Sequence, residues 1–216
     1  MAALQLVARE VEVAGRRLSL LVPRSADDLL DEVLAGGGTV PPYWADLWPS
    51  SRALATLLLE GDDRTGHRVL ELGCGVGLPS VAALLAGGDV LATDAEPAAI
   101  RIAARNARRC GGRRVATMVV DVVEPPDELF ELPRFDLVLA ADVLYEERLG
   151  DALARLLPRV TAGDGEAIVA YPFAGQGDRL AATLQAAGWD ARTEEERVPG
   201  WREGQTTVRL LRLSPG

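Results

Sequence analysis

The feature that most constrains the fold is the run Arg68–Gly77, where a short apolar stretch leads directly into the glycine-rich segment ELGCGVG. An apolar run of this length that ends in glycines is typical of a buried parallel strand. Gly73, Gly75 and Gly77 let the backbone turn tightly and approach a ligand closely. Pro79 suits the first turn of a helix. The sequence therefore predicts a strand, a ligand-binding loop and a helix, in that order.

The rest of the chain repeats this alternation of short apolar runs with longer amphipathic segments. Strands that alternate with helices form a parallel sheet with right-handed crossovers, so we expect an α/β fold. The late run TTVRLLRL carries charges that suit an edge strand or an antiparallel partner. The predicted strands are 68–72, 89–93, 115–120, 135–140, 167–171 and 206–213, and the predicted helices are 50–60, 78–86, 97–110, 147–157 and 180–187.

The first 60 residues have a different pattern. Apolar residues alternate through 4–23 on both sides of Ala14-Gly15, which predicts a β-hairpin. A short helix is predicted at 26–35, and Ser50 or Ser51 is the expected cap of the helix that follows the aromatic segment. The predicted organisation is a single domain over 1–216, with an N-terminal extension and lid at 1–60 and a core at 61–216.

Composition narrows the partners and the location. A formal net charge of −9 disfavours nucleic acid, because an acidic surface repels a phosphate backbone. Two cysteines without metal-ligand spacing predict neither a disulfide framework nor a metal site. No apolar run approaches the roughly 18 residues of a membrane helix, and the first residues do not resemble a signal peptide. We therefore expect a cytoplasmic protein without metal, nucleic-acid or membrane partners, as a monomer or alternatively a dimer.

The glycine loop itself separates two classes of cofactor. A dinucleotide site needs a third glycine where this chain has Leu78. Glu71 would repel a pyrophosphate, whereas it would attract the sulfonium or ammonium group of S-adenosylmethionine. Asp94 can accept hydrogen bonds from ribose hydroxyls or cap a helix, and Asp121 can meet an adenine amino group or cap a loop. Together these positions favour S-adenosylmethionine, with S-adenosylhomocysteine as the product, over NAD.

Three segments together resemble a known family. VLELGCGVGLPS (69–80), with Asp94 downstream, resembles the first two motifs of class I, seven-β-strand S-adenosylmethionine-dependent methyltransferases. PPYWADLWPSSRALA (41–55) and LAADVLYEE (139–147) are similar to segments of the family 16 protein lysine methyltransferases, nearest the electron-transfer-flavoprotein β-subunit lysine methyltransferase branch. The resemblance implies a Rossmann-like, doubly wound, mostly parallel seven-stranded sheet with an antiparallel last strand.

The resemblance also implies roles for individual residues. An Asp-x-x-Tyr motif lines the acceptor pocket in that family, and here it matches Asp142 and Tyr145. A carboxylate there could hold an amine and steer its deprotonation, and a tyrosine ring could stabilise its positive charge. Packing and turn-capping roles are the alternatives for both residues. The residues expected to bind the cofactor are Trp48, Glu71, Gly73, Cys74, Gly75, Gly77, Asp94, Ala95, Asp121 and Ala141, and those expected to line the substrate pocket are Tyr43, Trp44, Tyr171 and Phe173.

The predicted function is N-methylation of a lysine side chain of a protein. The segment YPFAGQG (171–177) lacks the Gly-Asp-Pro-Gly-Arg pattern of the flavoprotein branch, and Ser51 stands where the family often has glycine. These departures keep a small-molecule amine or heterocyclic nitrogen open as the acceptor. The further alternatives are a NAD-type oxidoreductase, disfavoured by Leu78, and a non-catalytic binding module, disfavoured by the intact Asp142 and Tyr145.

Overall fold

A β-hairpin opens the fold of the computed structural model, which describes residues 4–35, 37, 41–200 and 204–216. Strand β1 (Leu6–Val13) pairs antiparallel with β2 (Arg16–Pro23). In the turn between them, Ala14 has a φ of 50° and Gly15 a φ of 68°. Turns with two positive φ values match the twist of hairpin strands. The predicted hairpin is confirmed.

The remaining elements alternate between helix and strand, with small changes at the predicted ends. In chain order they are α1 (Ala26–Ala35), α2 (Pro49–Glu60), β3 (Arg68–Leu72), α3 (Leu78–Leu85), β4 (Asp89–Asp94), α4 (Pro97–Gly111), β5 (Ala116–Val119), α5 (Asp127–Glu131), β6 (Phe135–Ala141), α6 (Glu147–Val160), β7 (Thr161–Tyr171), α7 (Asp178–Ala186), β8 (Trp189–Pro199) and β9 (Gln205–Pro215). A single turn of 3₁₀ helix, Tyr43–Ala45, precedes α2. None of the helices in the described ranges is long and apolar enough to cross a membrane.

In the described part of the chain, seven strands form one sheet in the order β5-β4-β3-β6-β7-β9-β8. Each neighbouring pair from β5 to β7 is parallel. Strand β9 runs antiparallel to both β7 and β8, between which it lies. The predicted mostly parallel sheet with an antiparallel last strand is therefore confirmed, although β9 lies inside the sheet and β8 forms its edge.

Strand β8 is the main element that the sequence does not predict. Most of its residues, which read WDARTEEERVP, are exposed, and only Val198 is buried. Because solvent reaches most of the strand, its sequence needs no apolar alternation. Its charged side chains also protect the free edge of the sheet against pairing with another chain. The backbone ladder with β9, from Trp189↔Pro215 to Pro199↔Gln205, holds it in place.

The order of the strands decides where a ligand can bind. The chain builds β3, β4 and β5 toward one edge and then returns to place β6 on the other side of β3. Ligands bind outside the carboxyl ends of the strands at such a topological switch point. Three predicted site segments meet there: the glycine loop 73–77 after β3, Asp94 at the end of β4, and Ala141-Asp142 at the end of β6.

One buried amide joins the hairpin to the glycine loop. Asn106 on α4 is fully buried, and its Nδ2 donates to the carbonyl oxygens of Leu21 (2.9 Å) and Val76 (2.8 Å). Its Oδ1 accepts from the backbone N–H of Leu21 at 2.7 Å. Leu20 and Val22 of the hairpin also share a hydrophobic core with α2 and β3. Through these contacts the hairpin packs into the same core as the sheet.

Candidate active site

A cavity of about 630 Å³ opens at the carboxyl ends of β3, β4 and β6. Its volume is within the range of small-molecule sites. The segment 41–48 and the loops after these strands form its walls. The predicted site residues that line it are Tyr43, Trp44, Trp48, Glu71, Gly73, Cys74, Gly75, Asp94, Ala95, Asp121, Ala141, Asp142, Tyr145 and Phe173.

The two other predicted site residues, Gly77 and Tyr171, are packed in the interior. Gly77 precedes α3 with a φ of 82°, and a Cβ there would lie 2.6 Å from the Cβ of Ala103. Its lack of a side chain lets α3 approach α4. Tyr171 is 2% exposed at the end of β7, and its ring lies against Gly177. The structure places both residues in the packing, and of the two predicted aromatic residues after β7 only Phe173 lines the cavity.

The carboxylate of Asp94 holds the glycine loop. Its Oδ2 accepts from the N–H of Gly75 at 2.9 Å, and its Oδ1 accepts from the N–H of Glu96 at 2.9 Å. Burial raises the pKa of Asp94, and these hydrogen bonds oppose the change. The N-cap of α4 is Glu96, whose side chain accepts from the N–H of Ala98, so Asp94 does not cap this helix. Because each carboxylate oxygen has a second lone pair, Asp94 can still accept hydrogen bonds from ligand hydroxyls.

Glu71 is a buried acid immediately before the glycine loop. It is 1% exposed, and the hydroxyl of Ser80 donates a hydrogen bond to its Oε2. Burial raises the pKa of Glu71 to about 8, although the hydrogen bonds from Ser80 lower it. The carboxyl is therefore mostly protonated at neutral pH, and a nearby ligand cation would favour its charged form.

The raised pKa of Glu71 predicts a stability that falls as pH rises. The folded protein keeps this proton up to about pH 8, whereas an unfolded glutamate releases it near 4.5. The free energy of unfolding therefore decreases across that interval and levels off above it. Glu71→Gln removes this titrating group. The fall in its free energy of unfolding with rising pH should therefore be smaller than that of the wild type by on the order of a few kcal/mol. Urea melts of both proteins between about pH 5 and about pH 9 measure the difference, and parallel curves would contradict it.

Asp142 has a strained backbone conformation directly after β6. Its φ is 55°, a value that few residues other than glycine adopt. Its Oδ1 accepts from the Oγ of Ser50 at 2.9 Å, and its buried Oδ2 has no hydrogen-bond partner among the described residues. Burial raises the pKa of Asp142 to about 6, and the hydrogen bonds from Ser50 lower it. The carboxylate is thus mostly ionised at neutral pH, and one oxygen lacks the donor that an amine would supply.

Aromatic side chains line the cavity next to Asp142. Tyr43, Tyr145 and Phe173, here called the aromatic rim, are 43%, 51% and 69% exposed. The ring centroids of Tyr43 and Tyr145 are 5.4 Å apart. Trp48 stands edge-on to Tyr43 at 5.9 Å, and its Nε1 donates to the carbonyl oxygen of Tyr43 at 2.7 Å. Such ring faces attract cations, so the rim suits a positively charged acceptor.

Trp44 and Asp121 occupy intermediate positions. Trp44 lines the cavity and also packs against the hydrophobic core, so both of the roles expected for it are compatible with its place. Asp121 lines the cavity too, but its Oδ1 accepts from the backbone N–H of Val123 at 2.9 Å. This bond is the loop cap anticipated as the alternative, and the other oxygen is available to a ligand.

Ser50 and Ser80 are site residues whose contacts the sequence does not reveal. Neither expected serine caps α2: the N-cap is Trp48, without a side-chain capping bond, and the Oγ of Ser51 donates to the carbonyl oxygen of Trp48 at 2.6 Å. Ser50 contacts Asp142 across 92 residues of sequence. No local spacing could reveal that contact, because it depends on how α2 packs near the end of β6.

The cavity therefore combines two kinds of recognition. Around the glycine loop, exposed backbone and the Asp94 carboxylate suit a ligand that carries hydroxyl groups. After β6, an ionised carboxylate and aromatic rings suit an amine or ammonium group. A nucleoside cofactor beside an amine acceptor would satisfy both.

Comparison with known proteins identifies relatives with this chemistry in their names. A family model described as lysine methyltransferase matches residues 43–179. The electron transfer flavoprotein beta subunit lysine methyltransferase of Danio rerio is 32% identical over 130 residues, which is 59% of this chain and 48% of that protein. Protein N-lysine methyltransferase METTL21A of Danio rerio is 34% identical over 123 residues, 56% of each chain. The chain spans about half the length of these curated relatives.

Solved structures share the fold at lower sequence identity. The magnesium protoporphyrin IX methyltransferase of Synechocystis, solved with S-adenosylmethionine bound, superposes with a TM-score of 0.61 and 17% identity. The match covers 88% of this chain and 97% of that one. It confirms the predicted Rossmann-like architecture.

Proposed function

Because this chain belongs to the lysine methyltransferase family, we propose that it is an S-adenosylmethionine-dependent N-methyltransferase that modifies a lysine side chain of a protein. The observation that carries the proposal is a single cavity shared by the glycine loop and the carboxylate of Asp142. The relatives from Danio rerio are named as lysine methyltransferases, which supports the same type of acceptor for this chain.

The cavity residues fit S-adenosylmethionine. Gly73 and Gly75 expose their backbone to the cavity, and Asp94 keeps lone pairs for ligand hydroxyls. Glu71 would gain its negative charge next to a ligand cation. When bound, the cofactor supplies a methyl group activated by its attachment to a sulfonium. The other residues assigned to this binding set are Trp48, Cys74, Ala95, Asp121 and Ala141.

The residues after β6 prepare the amine. A lysine amine attacks only when its lone pair is free, so its proton must leave. Asp142, mostly ionised at neutral pH, can accept hydrogen bonds from the amine and receive that proton. Tyr43 and Tyr145 stabilise positive charge on the nitrogen through their ring faces. Beyond this, the protein contributes by aligning the amine for an in-line displacement.

A protein acceptor is favoured by the exposure of the aromatic rim. Its three side chains are exposed and line one cavity, whereas the other large hydrophobic residues exposed in the described ranges are Leu4, Leu34 and Val119. Exposed apolar groups clustered at one place are typical of contact surfaces for macromolecules. The two free thiols, Cys74 and Cys110, suit a reducing compartment such as the cytoplasm.

The test is transfer of a radioactive methyl group from labelled S-adenosylmethionine to a protein extract from the source organism. We expect label in a protein band that yields methyllysine on acid hydrolysis, and a labelling rate lower by about 100-fold or more with the Asp142→Asn variant. Label confined to the small-molecule fraction would favour a small amine as the acceptor and contradict the proposed protein substrate.

A further inference from the structure

Ser50 joins the first turn of α2 to the carboxylate of Asp142. It is fully buried, and its Oγ donates to the Oδ1 of Asp142 at 2.9 Å. Asp142 leaves β6 with its own backbone N–H bound to the carbonyl oxygen of Ala170 at 2.9 Å. The main chain is therefore anchored on the β7 side and the side chain on the α2 side. These two bonds restrain the orientation of the carboxylate in the cavity wall.

The hydroxyl of Ser50 has no role within its own helix. Helix α2 has no side-chain capping bond at its N-terminus, and the neighbouring Ser51 is the serine that bonds back to Trp48. A buried hydroxyl without a partner would cost free energy, so its one side-chain bond to Asp142 accounts for its presence. The direction of this bond matters, because a donated O–H stabilises the ionised carboxylate more than the neutral acid.

Burial and Ser50 account for the shifted pKa of Asp142, although other titratable groups line the same cavity. Burial raises the pKa of Asp142, and the hydroxyl and backbone N–H of Ser50 are the groups that lower it. The remaining titratable and charged side chains lining the cavity in the described ranges are Tyr43, Asp46, Glu71, Cys74, Asp94, Glu96, Asp121, Tyr145 and Arg148. Most are acids or neutral groups that would not favour a second negative charge.

We propose that Ser50 is a positioning residue that orients Asp142 and keeps it ionised, so that it can accept the proton of the acceptor amine at neutral pH. The inference rests on the proposed methyl transfer, and it adds the group on which that step depends. Ser50 does not contact the acceptor; it acts through Asp142.

The first test measures Asp142 directly and needs no acceptor. Protein labelled with ¹³C at the aspartate carboxyls is titrated by NMR, and the signal of Asp142 is identified by its loss in Asp142→Asn. In Ser50→Ala the pKa of Asp142 should rise by about one pH unit, because a donor to the charged form has been removed. Ser50→Thr, which keeps the hydroxyl, should restore the wild-type value. An unchanged titration in Ser50→Ala would overturn the proposal.

The second test compares pH profiles of methyl transfer to the labelled protein fraction of the extract. With a pKa raised by about one, the rate of Ser50→Ala relative to wild type should be several-fold lower near pH 6 than near about pH 9. A purely structural defect would instead lower the rate by the same factor at every pH. Thr56→Ala, which removes a hydroxyl from the same helix outside the cavity, is the matched control and should follow the wild-type profile.

Two further measurements distinguish a failure of this inference from misfolding of the variant and from a failure of the proposed function. Calorimetric binding of S-adenosylhomocysteine should be close to wild type in Ser50→Ala, because the glycine loop is untouched. Thermal melting should remain cooperative with a midpoint lower by about 2–4 °C, because the buried carboxylate loses one donor. If the wild-type protein methylates nothing, the proposed function fails while the NMR titration still decides whether Ser50 controls Asp142. If the wild type is active and Ser50→Ala has an identical profile, only the role of Ser50 is refuted.

Discussion

Replacing Asp142 by Asn is expected to slow methyl transfer by about 100-fold or more at neutral pH, while S-adenosylhomocysteine still binds with wild-type affinity. The amide cannot receive a proton from the amine, although it preserves the size of the side chain. Asn also tolerates the φ of 55° at this position, so the backbone needs no rearrangement. Single-turnover rates and calorimetry measure the two quantities.

The pH dependence gives this prediction a second signature. Since the pKa of Asp142 is about 6, wild-type activity should fall as pH decreases through that value and the carboxylate takes up a proton. The residual activity of Asp142→Asn should lack this step. Asp142→Ala is a less clean comparison, because Ala in the left-handed region adds roughly 1–2 kcal/mol of strain. Wild-type turnover in Asp142→Asn would refute the role of the carboxylate.

Replacing Gly75 by Val is expected to weaken binding of S-adenosylhomocysteine by about 100-fold. Gly75 has a φ of 51°, and a Cβ there would lie 3.0 Å from the carbonyl oxygen of Trp44. The branched side chain would therefore push the loop away from segment 41–48. The displacement would also break the hydrogen bond from the Gly75 N–H to the Asp94 carboxylate. Isothermal calorimetry measures the loss of affinity.

Gly112→Val is the matched control for backbone strain. Gly112 also has a positive φ, 64°, at the C-terminus of α4, but apart from its chain neighbours no atom of the described residues lies within 4 Å of its would-be Cβ. Both variants should lose stability from the disfavoured backbone conformation, and thermal melting would report it. Only Gly75→Val should lose the ligand. Equal binding by both variants would show that the space around Gly75 does not matter for the cofactor site.

Local sequence patterns determined most of the fold, because most helices and strands carry their apolar pattern and their end signals within their own residues. Three of the five residues in Arg68–Leu72 are apolar and buried, as suits a strand covered on both faces, and the glycines after it have positive φ. The helix at Pro97–Gly111 shows a Pro start and a glycine end, which are local signals. By contrast, β8 carries no such pattern, because a solvent-exposed edge strand is held by backbone bonds to β9 and needs few apolar side chains.

The candidate site divides in the same way. The sequence by itself determined the glycine loop, the acid after β4 and the Asp-x-x-Tyr motif, since each is a short segment whose chemistry is visible in adjacent residues. The sequence could not show that Tyr171 and Phe173 have different environments. Tyr171 is buried in the interior, whereas Phe173, two residues later, lines the cavity. Side-chain direction at the end of a strand depends on the packing of the whole sheet.

Only the tertiary structure decided the protonation state of the two acids at the centre of the site, Glu71 and Asp142. Glu71 and Asp142 are ordinary carboxylates in the sequence, and burial raises their pKa values to about 8 and about 6. The difference comes from their surroundings, because Glu71 is completely enclosed beside Ser80 and Asp142 is less deeply buried beside Ser50. Burial and partners distant in sequence are properties of the packed chain. The glycine loop could therefore be found from the sequence, but the charge of the acids in its cavity could not.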